Sequence, residues 1–178
     1  MFNNIGKIYY AKGNYEQALK YYNDSVKIQE KLGDQQGLAT SYSNIGPIYY
    51  ARGDYEQALK HYKDNVKIQE KSGDQQGLAT SFNNIGQIYS ARGDYEQALK
   101  YYNDSVKIKE KLGDQQGLAT SFNNIGLIYK ARGNYERALK YCLDAKAIAE
   151  KIGAKDLYEK IVYNIKEIQK KIGSLIHK

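Results

Sequence analysis

Gly73-Asp74-Gln75-Gln76-Gly77-Leu78-Ala79-Thr80-Ser81 stands 40 residues after an identical run beginning at Gly33 and 40 before another beginning at Gly113. Self-similarity at a fixed period of this size marks a stack of one supersecondary unit. Each copy buries its apolar face against its neighbours, so no single large core is needed. Residues 41–80 and 81–120 are identical at 31 of 40 positions, which points to a recent duplication or a designed array. At that similarity a recurrent residue records copying as well as selection.

The unit 74–113 reads as two helices. Asp74 is placed to cap the first through its side-chain oxygen. Leu78, Phe82, Ile85, Ile88 and Tyr89 then recur at helical spacing. Gly93 ends that helix, because glycine accepts the left-handed conformation just past a helix C-terminus. Asp94 with Gln97 three residues on forms a capping box for the second helix. Tyr95, Ala98, Leu99, Tyr102 and Val106 face inward on it, and Gly113 stops it. The expected unit is an antiparallel helix pair and the fold class all-α.

Phe82-x2-Ile85-Gly86-x2-Tyr89 followed by Ala98-x3-Tyr102 resembles the tetratricopeptide repeat pattern W-x2-L-G-x2-Y then A-x3-F. The same register holds at Phe2, Ile5, Gly6, Tyr9, Ala18, Tyr22; at Tyr42, Ile45, Gly46, Tyr49, Ala58, Tyr62; and at Phe122, Ile125, Gly126, Tyr129, Ala138. Cys142 replaces the last aromatic. A mid-helix glycine costs roughly 1 kcal/mol against alanine, a cost explained if a partner helix carrying the small Ala18, Ala58, Ala98 or Ala138 comes too close for a side chain. The period exceeds the common one of roughly 34 residues, and Glu70 and Glu110 stand where a proline usually ends the second helix. The chain is therefore similar to the long-repeat type found in LGN/Pins, the kinesin light chains and bacterial peptide-sensing regulators. The resemblance implies a right-handed superhelix, with first helices lining a concave groove and second helices forming the outer wall.

One domain is expected over 1–173, with repeats at about 1–33, 34–73, 74–113 and 114–153, a capping helix at 154–173 and a tail at 174–178. The first repeat lacks the start of its first helix. In the cap, Val162, Ile165 and Ile168 continue the buried stripe, and Lys166 takes the glycine position. The only proline, Pro47, is expected to kink its helix. The lone Cys142 has no internal disulfide partner and reads as a small buried residue. No apolar run resembles a signal peptide or reaches the ~20 residues of a membrane span, which makes the cytoplasm the default compartment and gives no membrane partner. Of the formal charge of +7, +6 falls in residues 121–178. That excess sits at one end rather than along a face, so it reads as a solvated basic cap and disfavours nucleic acid.

Enzyme chemistry finds no support. His61 and His177 are 116 residues apart, neither has metal-ligand spacing, and no phosphate loop, nucleophile elbow or HExxH occurs. No cofactor, metal or catalytic residue is expected. Glu16, Glu56, Glu96 and Glu136 complement the helix dipole at the start of the second helices. The expected function is a scaffold binding a protein or peptide segment. In relatives of this type a ladder of asparagines holds a peptide main chain. Its counterparts are Asn4, Asn44, Asn84 and Asn124, continued by Asn164. Asn3, Ser43, Asn83 and Asn123 widen the strip. Such amides offer donors and an acceptor, but they equally bond neighbouring repeats or face water. Lys7, Pro47, Gln87 and Leu127, then Tyr10, Tyr50, Ser90 and Lys130, vary between copies and would set side-chain preference. Tyr21 and Tyr101 are further contact candidates. Two rival functions are a module that self-associates through its N-terminal helix and a nucleic-acid binder using the basic C-terminal end.

Overall fold

The computed structural model describes residues 2–176; Met1, His177 and Lys178 lie outside the described residues. Nine helices occur among them, joined by short turns: α1 Phe2–Ala11, α2 Tyr15–Leu32, α3 Gln35–Ala51, α4 Tyr55–Ser72, α5 Gln75–Ala91, α6 Tyr95–Leu112, α7 Gln115–Ala131, α8 Tyr135–Lys151 and α9 Lys155–Ile176. Odd-numbered helices are the first helices of the repeats and even-numbered ones the second. α1 has 10 residues where α3, α5 and α7 have 17.

The punctuation is local chemistry. Asp34, Asp74 and Asp114 accept from the backbone N–H of Gly37, Gly77 and Gly117 at 2.8–2.9 Å. Asn14, Asp54, Asp94 and Asn134 do the same for the second helices. Such caps satisfy donors that the first helical turn leaves unpaired. Gly73 (φ 73°) and Gly93 (φ 77°) turn the chain out of a second and a first helix, a backbone state open to glycine at no steric cost. Pro47 lies inside α3 without ending it.

The structure forms two compact units, one running to Ile88 and the other from Tyr89 on. In the first, α1 packs on α2, α2 on α3 and α3 on α4. Ala18, Leu19, Tyr22, Ile45 and Ile48 form a core there. In the second, α6, α7, α8 and α9 pack in succession. One core gathers Leu99, Tyr102 and Val106 with Leu118, Ile125 and Ile128; another joins Cys142, Ala145 and Ala149 to Ile161, Ile165 and Ile168. The buried stripe of α9 thus uses Ile161, while Val162 is only half-buried. Burial pushes the Cys142 thiol up to about 11, so it stays protonated and inert.

Two expectations change. The partner helix does come too close for a side chain at the mid-helix glycines, but what a Cβ would meet first is its aromatic ring rather than the helix at its alanine. A Cβ at Gly6 would meet the Tyr22 ring at 2.5 Å, and one at Gly46 the Tyr62 ring at 2.5 Å. The second-helix aromatic packs against the glycine at Gly6 and Gly46, and at Gly126 the Cys142 sulfur takes its place, with the Ala138 carbonyl oxygen next at 3.1 Å. The capping helix also extends beyond residue 173: α9 continues to Ile176, so residues 174–176 are helical rather than tail.

Candidate functional site

The first helices carry two adjacent polar rows, and packing separates them. One row is consumed between helices. In the first unit Ser41 Oγ lies 2.7 Å from Gln29 Oε1 and 3.0 Å from Asn3 Oδ1. Asn65 Nδ2 donates to Ser43 Oγ at 2.8 Å and to Ser81 Oγ at 3.3 Å, and Ser81 donates to Gln69 Oε1 at 2.8 Å. In the second unit Asn164 Nδ2 donates to Asn123 Oδ1 at 2.9 Å, and both residues are buried. Lys109 Nζ donates to Ser121 Oγ at 2.9 Å. Asn3, Asn123 and Asn164, read from sequence as guest-facing, therefore tie helix to helix, with Ser43 in the same role. Asn83 is half-buried in the same row and engaged with its surroundings.

The other row lies nearer the surface. Asn4 is exposed, and Asn44, Asn84 and Asn124 are half-buried immediately before Ile45, Ile85 and Ile125, which are at most 1% exposed. Asn44 Nδ2 is buried with no hydrogen-bond partner among the described residues, a state that costs about 1–3 kcal/mol when nothing else relieves it. Lys7 and Gln87 are exposed, and Pro47 and Lys130 half-buried. Tyr10 and Tyr50 lean on the first aromatic of the second helix, Tyr10 on Tyr15 at 5.5 Å and Tyr50 on Tyr55 at 5.7 Å between centroids. Burial, with Tyr55 adding, raises the Tyr50 phenol above its ordinary range, so that ring presents a neutral hydroxyl at neutral pH.

Tyr21 and Tyr101 are not spare contacts. Tyr21 stacks on Tyr9 at 5.4 Å, Tyr101 on Tyr89 at 5.6 Å and Tyr141 on Tyr129 at 5.5 Å, each pair 10° from parallel. His61 is the fourth member of this ladder, stacked on Tyr49 at 5.5 Å. Its register, 40 residues from Tyr21 and from Tyr101, is the signal that identifies an imidazole used as an aromatic plate. The polar seam through Gln29, Gln69 and Lys109 was likewise missed; its sequence signal is a polar residue recurring on an otherwise apolar face. Among the described residues no group of His, Cys, Asp and Glu is arranged to hold a metal ion, and no helix is long and apolar enough to cross a membrane.

Family models described as tetratricopeptide repeat match residues 1–71, 38–111 and 118–152. The chain belongs to the tetratricopeptide repeat family. Solved tetratricopeptide-type structures share its fold. The signal transduction ATPase with a tetratricopeptide repeat sensor from Pyrococcus horikoshii superposes with a TM-score of 0.85 at 22% identity, over 92% of this chain and 26% of that one. Apo RapI gives 0.84 at 20% identity over 97% and 68%. Aspartyl phosphate phosphatase F from Bacillus subtilis gives 0.85 at 18% identity over 92% and 43%. The chain thus spans about a quarter of the ATPase and less than half of the phosphatase. No curated protein matches the chain at a significant level.

Proposed function

We propose that this tetratricopeptide repeat chain is a non-enzymatic protein-interaction scaffold. It holds an extended or helical segment of a partner against its first helices. The observation that carries this reading is a second polar row, at Asn4, Asn44 and Asn84, set apart from the amides that tie helix to helix. These three stand on three successive first helices, beside the row whose hydrogen bonds are already spent between helices. Asn124 repeats the position in the second unit. An asparagine bonds a main chain through both its carbonyl and its NH2, so the row grips backbone without reading side chains. Selectivity then falls to the variable residues Lys7, Gln87, Tyr10, Tyr50 and Lys130. RapI and the aspartyl phosphate phosphatase lend the fold precedent only. A cytoplasmic setting is the compartment this reading assumes.

The test uses peptides selected on the intact chain from a random display library. Asn44→Ala with Asn84→Ala, and separately Asn124→Ala, should each weaken binding several-fold, since one hydrogen bond contributes about 1 kcal/mol. Helicity by circular dichroism should not change. Unaltered affinity in correctly folded variants would remove the amide row from the proposal.

A further inference from the structure

Charge is segregated between the two kinds of helix. In the first unit α2 carries Glu16, Lys20, Asp24, Lys27, Glu30 and Lys31, and α4 repeats each of them and adds Lys63. α3 has no charged residue in its 17 positions, and α5 has none in its 17. α1 and α7 carry one each, Lys7 and Lys130. An ordinary solvated surface is about 25–35% Lys, Arg, Glu and Asp. The exposed positions of α3 and α5 instead hold amides and hydroxyls, Gln36 and Thr40 on the one and Gln76, Thr80 and Gln87 on the other among them.

Copying alone does not account for this neutrality. α3 and α5 differ where Tyr42 stands against Phe82, Ser43 against Asn83, Pro47 against Gln87 and Tyr50 against Ser90, and no exchange brings in a charge. Between α4 and α6, by contrast, Lys63 stands against Asn103 and Gln69 against Lys109.

The neutral positions are also aligned. Gln36, Thr40 and Asn44 follow at one-turn intervals and share a side of α3, as Gln76, Thr80 and Asn84 do on α5. Asn65 reaches both helices, through Ser43 and Ser81. Thr40 Oγ1 donates to the Gln36 carbonyl and Thr80 Oγ1 to the Gln76 carbonyl, each at 3.0 Å. Each hydroxyl proton is committed to its own helix, so the oxygen offers its lone pairs beside amides that can also donate. A charged guest side chain laid here gives up water and meets no counter-charge on either helix. An apolar one strips water from amides and hydroxyls without replacing their bonds. Both cost free energy that a neutral polar side chain does not.

Given the scaffold role proposed for this chain, we propose that α3 and α5 take an uncharged polar stretch of a partner protein, rich in Asn, Gln, Ser and Thr, in a contact insensitive to salt. The probes are peptides selected on the intact chain from a random display library and resynthesised with a fluorescein label. They should be depleted of Asp, Glu, Lys and Arg relative to the starting library. Their affinity should change by less than about twofold between about 0.05 and 0.5 M salt, because no ion pair is there to screen. Thr80→Glu and Thr80→Lys alter an exposed position to a better helix former, so folding is retained. Both should weaken binding about fivefold, whereas the neutral Thr80→Gln should hold it within about twofold.

Opposite responses to the two charged variants, or charged peptides that lose affinity as salt rises, would overturn this proposal. The scaffold reading would survive that outcome if Asn44→Ala with Asn84→Ala still weakens binding. Unaltered affinity in the asparagine pair and in every Thr80 variant would place the peptides elsewhere and sink both. Concentration-dependent self-association abolished by Thr80→Lys would overturn the proposal in favour of a second copy.

Discussion

Gly46→Ala should destabilise the protein although alanine is the better helix former. The methyl group would lie 2.5 Å from Tyr62 Cζ and 2.8 Å from two further ring carbons. Carbon atoms in ordinary contact sit about 3.5–4.0 Å apart, so the ring must withdraw by about 1 Å. It has nowhere to go: Tyr62 is 4% exposed, and burial raises its phenol well above the ordinary range. Overpacking of this kind costs about 1–3 kcal/mol, against a gain of about 1 kcal/mol in helix propensity. The expected balance is a loss of about 1 kcal/mol. Gly173→Ala is the matched control, because Gly173 is helical and a Cβ there meets no atom within 4 Å. It should gain up to about 1 kcal/mol. Urea titrations followed by circular dichroism should move the two midpoints in opposite directions, by about 0.5 M each for a dependence of about 2 kcal/mol per molar. If Gly46→Ala raises the midpoint as Gly173→Ala does, the ring is not what excludes a side chain.

The remaining expectations concern buried titratable groups. Lys109 is 5% exposed, and desolvation depresses its pKa while Asp114 pulls the other way. Lys109→Gln installs the residue found at Gln29 and Gln69, keeps a partner for Ser121 and removes a buried cation. It should raise the urea midpoint by the equivalent of about 1 kcal/mol, and a lowered midpoint would mean that the ammonium is an asset. Burial first, then Lys60, lowers the His61 pKa below 6.5, with Asp64 opposing. The unfolded chain then binds the proton more readily, so stability is full above about pH 6.5 and falls as pH drops through the folded pKa. Between about pH 7.5 and 5.5 the wild-type melting temperature should fall further than that of His61→Tyr; equal falls would refute the assignment.

The sequence and the structure agree where the chemistry is local and diverge where one helix must choose a direction for its side chains. The 40-residue period, the Asp and Asn caps and the turn glycines are set by contacts within a few residues, and all are legible. Asn123 and Asn124 are a different matter. Successive residues on a helix point about 100° apart, and pattern alone did not reveal which of two neighbouring amides faces an adjacent helix. Asn123 lies under α9 and Asn124 nearer the surface. Tyr21 and His61 posed the same difficulty, because stacking on Tyr9 and Tyr49 depends on where the second helix sits across the hairpin. Gly173 carries the sequence of a turn without making one.

The Gln29–Ser41 and Gln69–Ser81 bonds have a consequence for how such an array can be rebuilt. Both joints use the same amide and hydroxyl, so a copy excised at one site and reinserted at the other finds the mate it left. Lys109 at the third joint ends that interchangeability. Crossing-over between copies would carry its ammonium to a new address, and the order of modules stops being neutral at the position where the lysine entered.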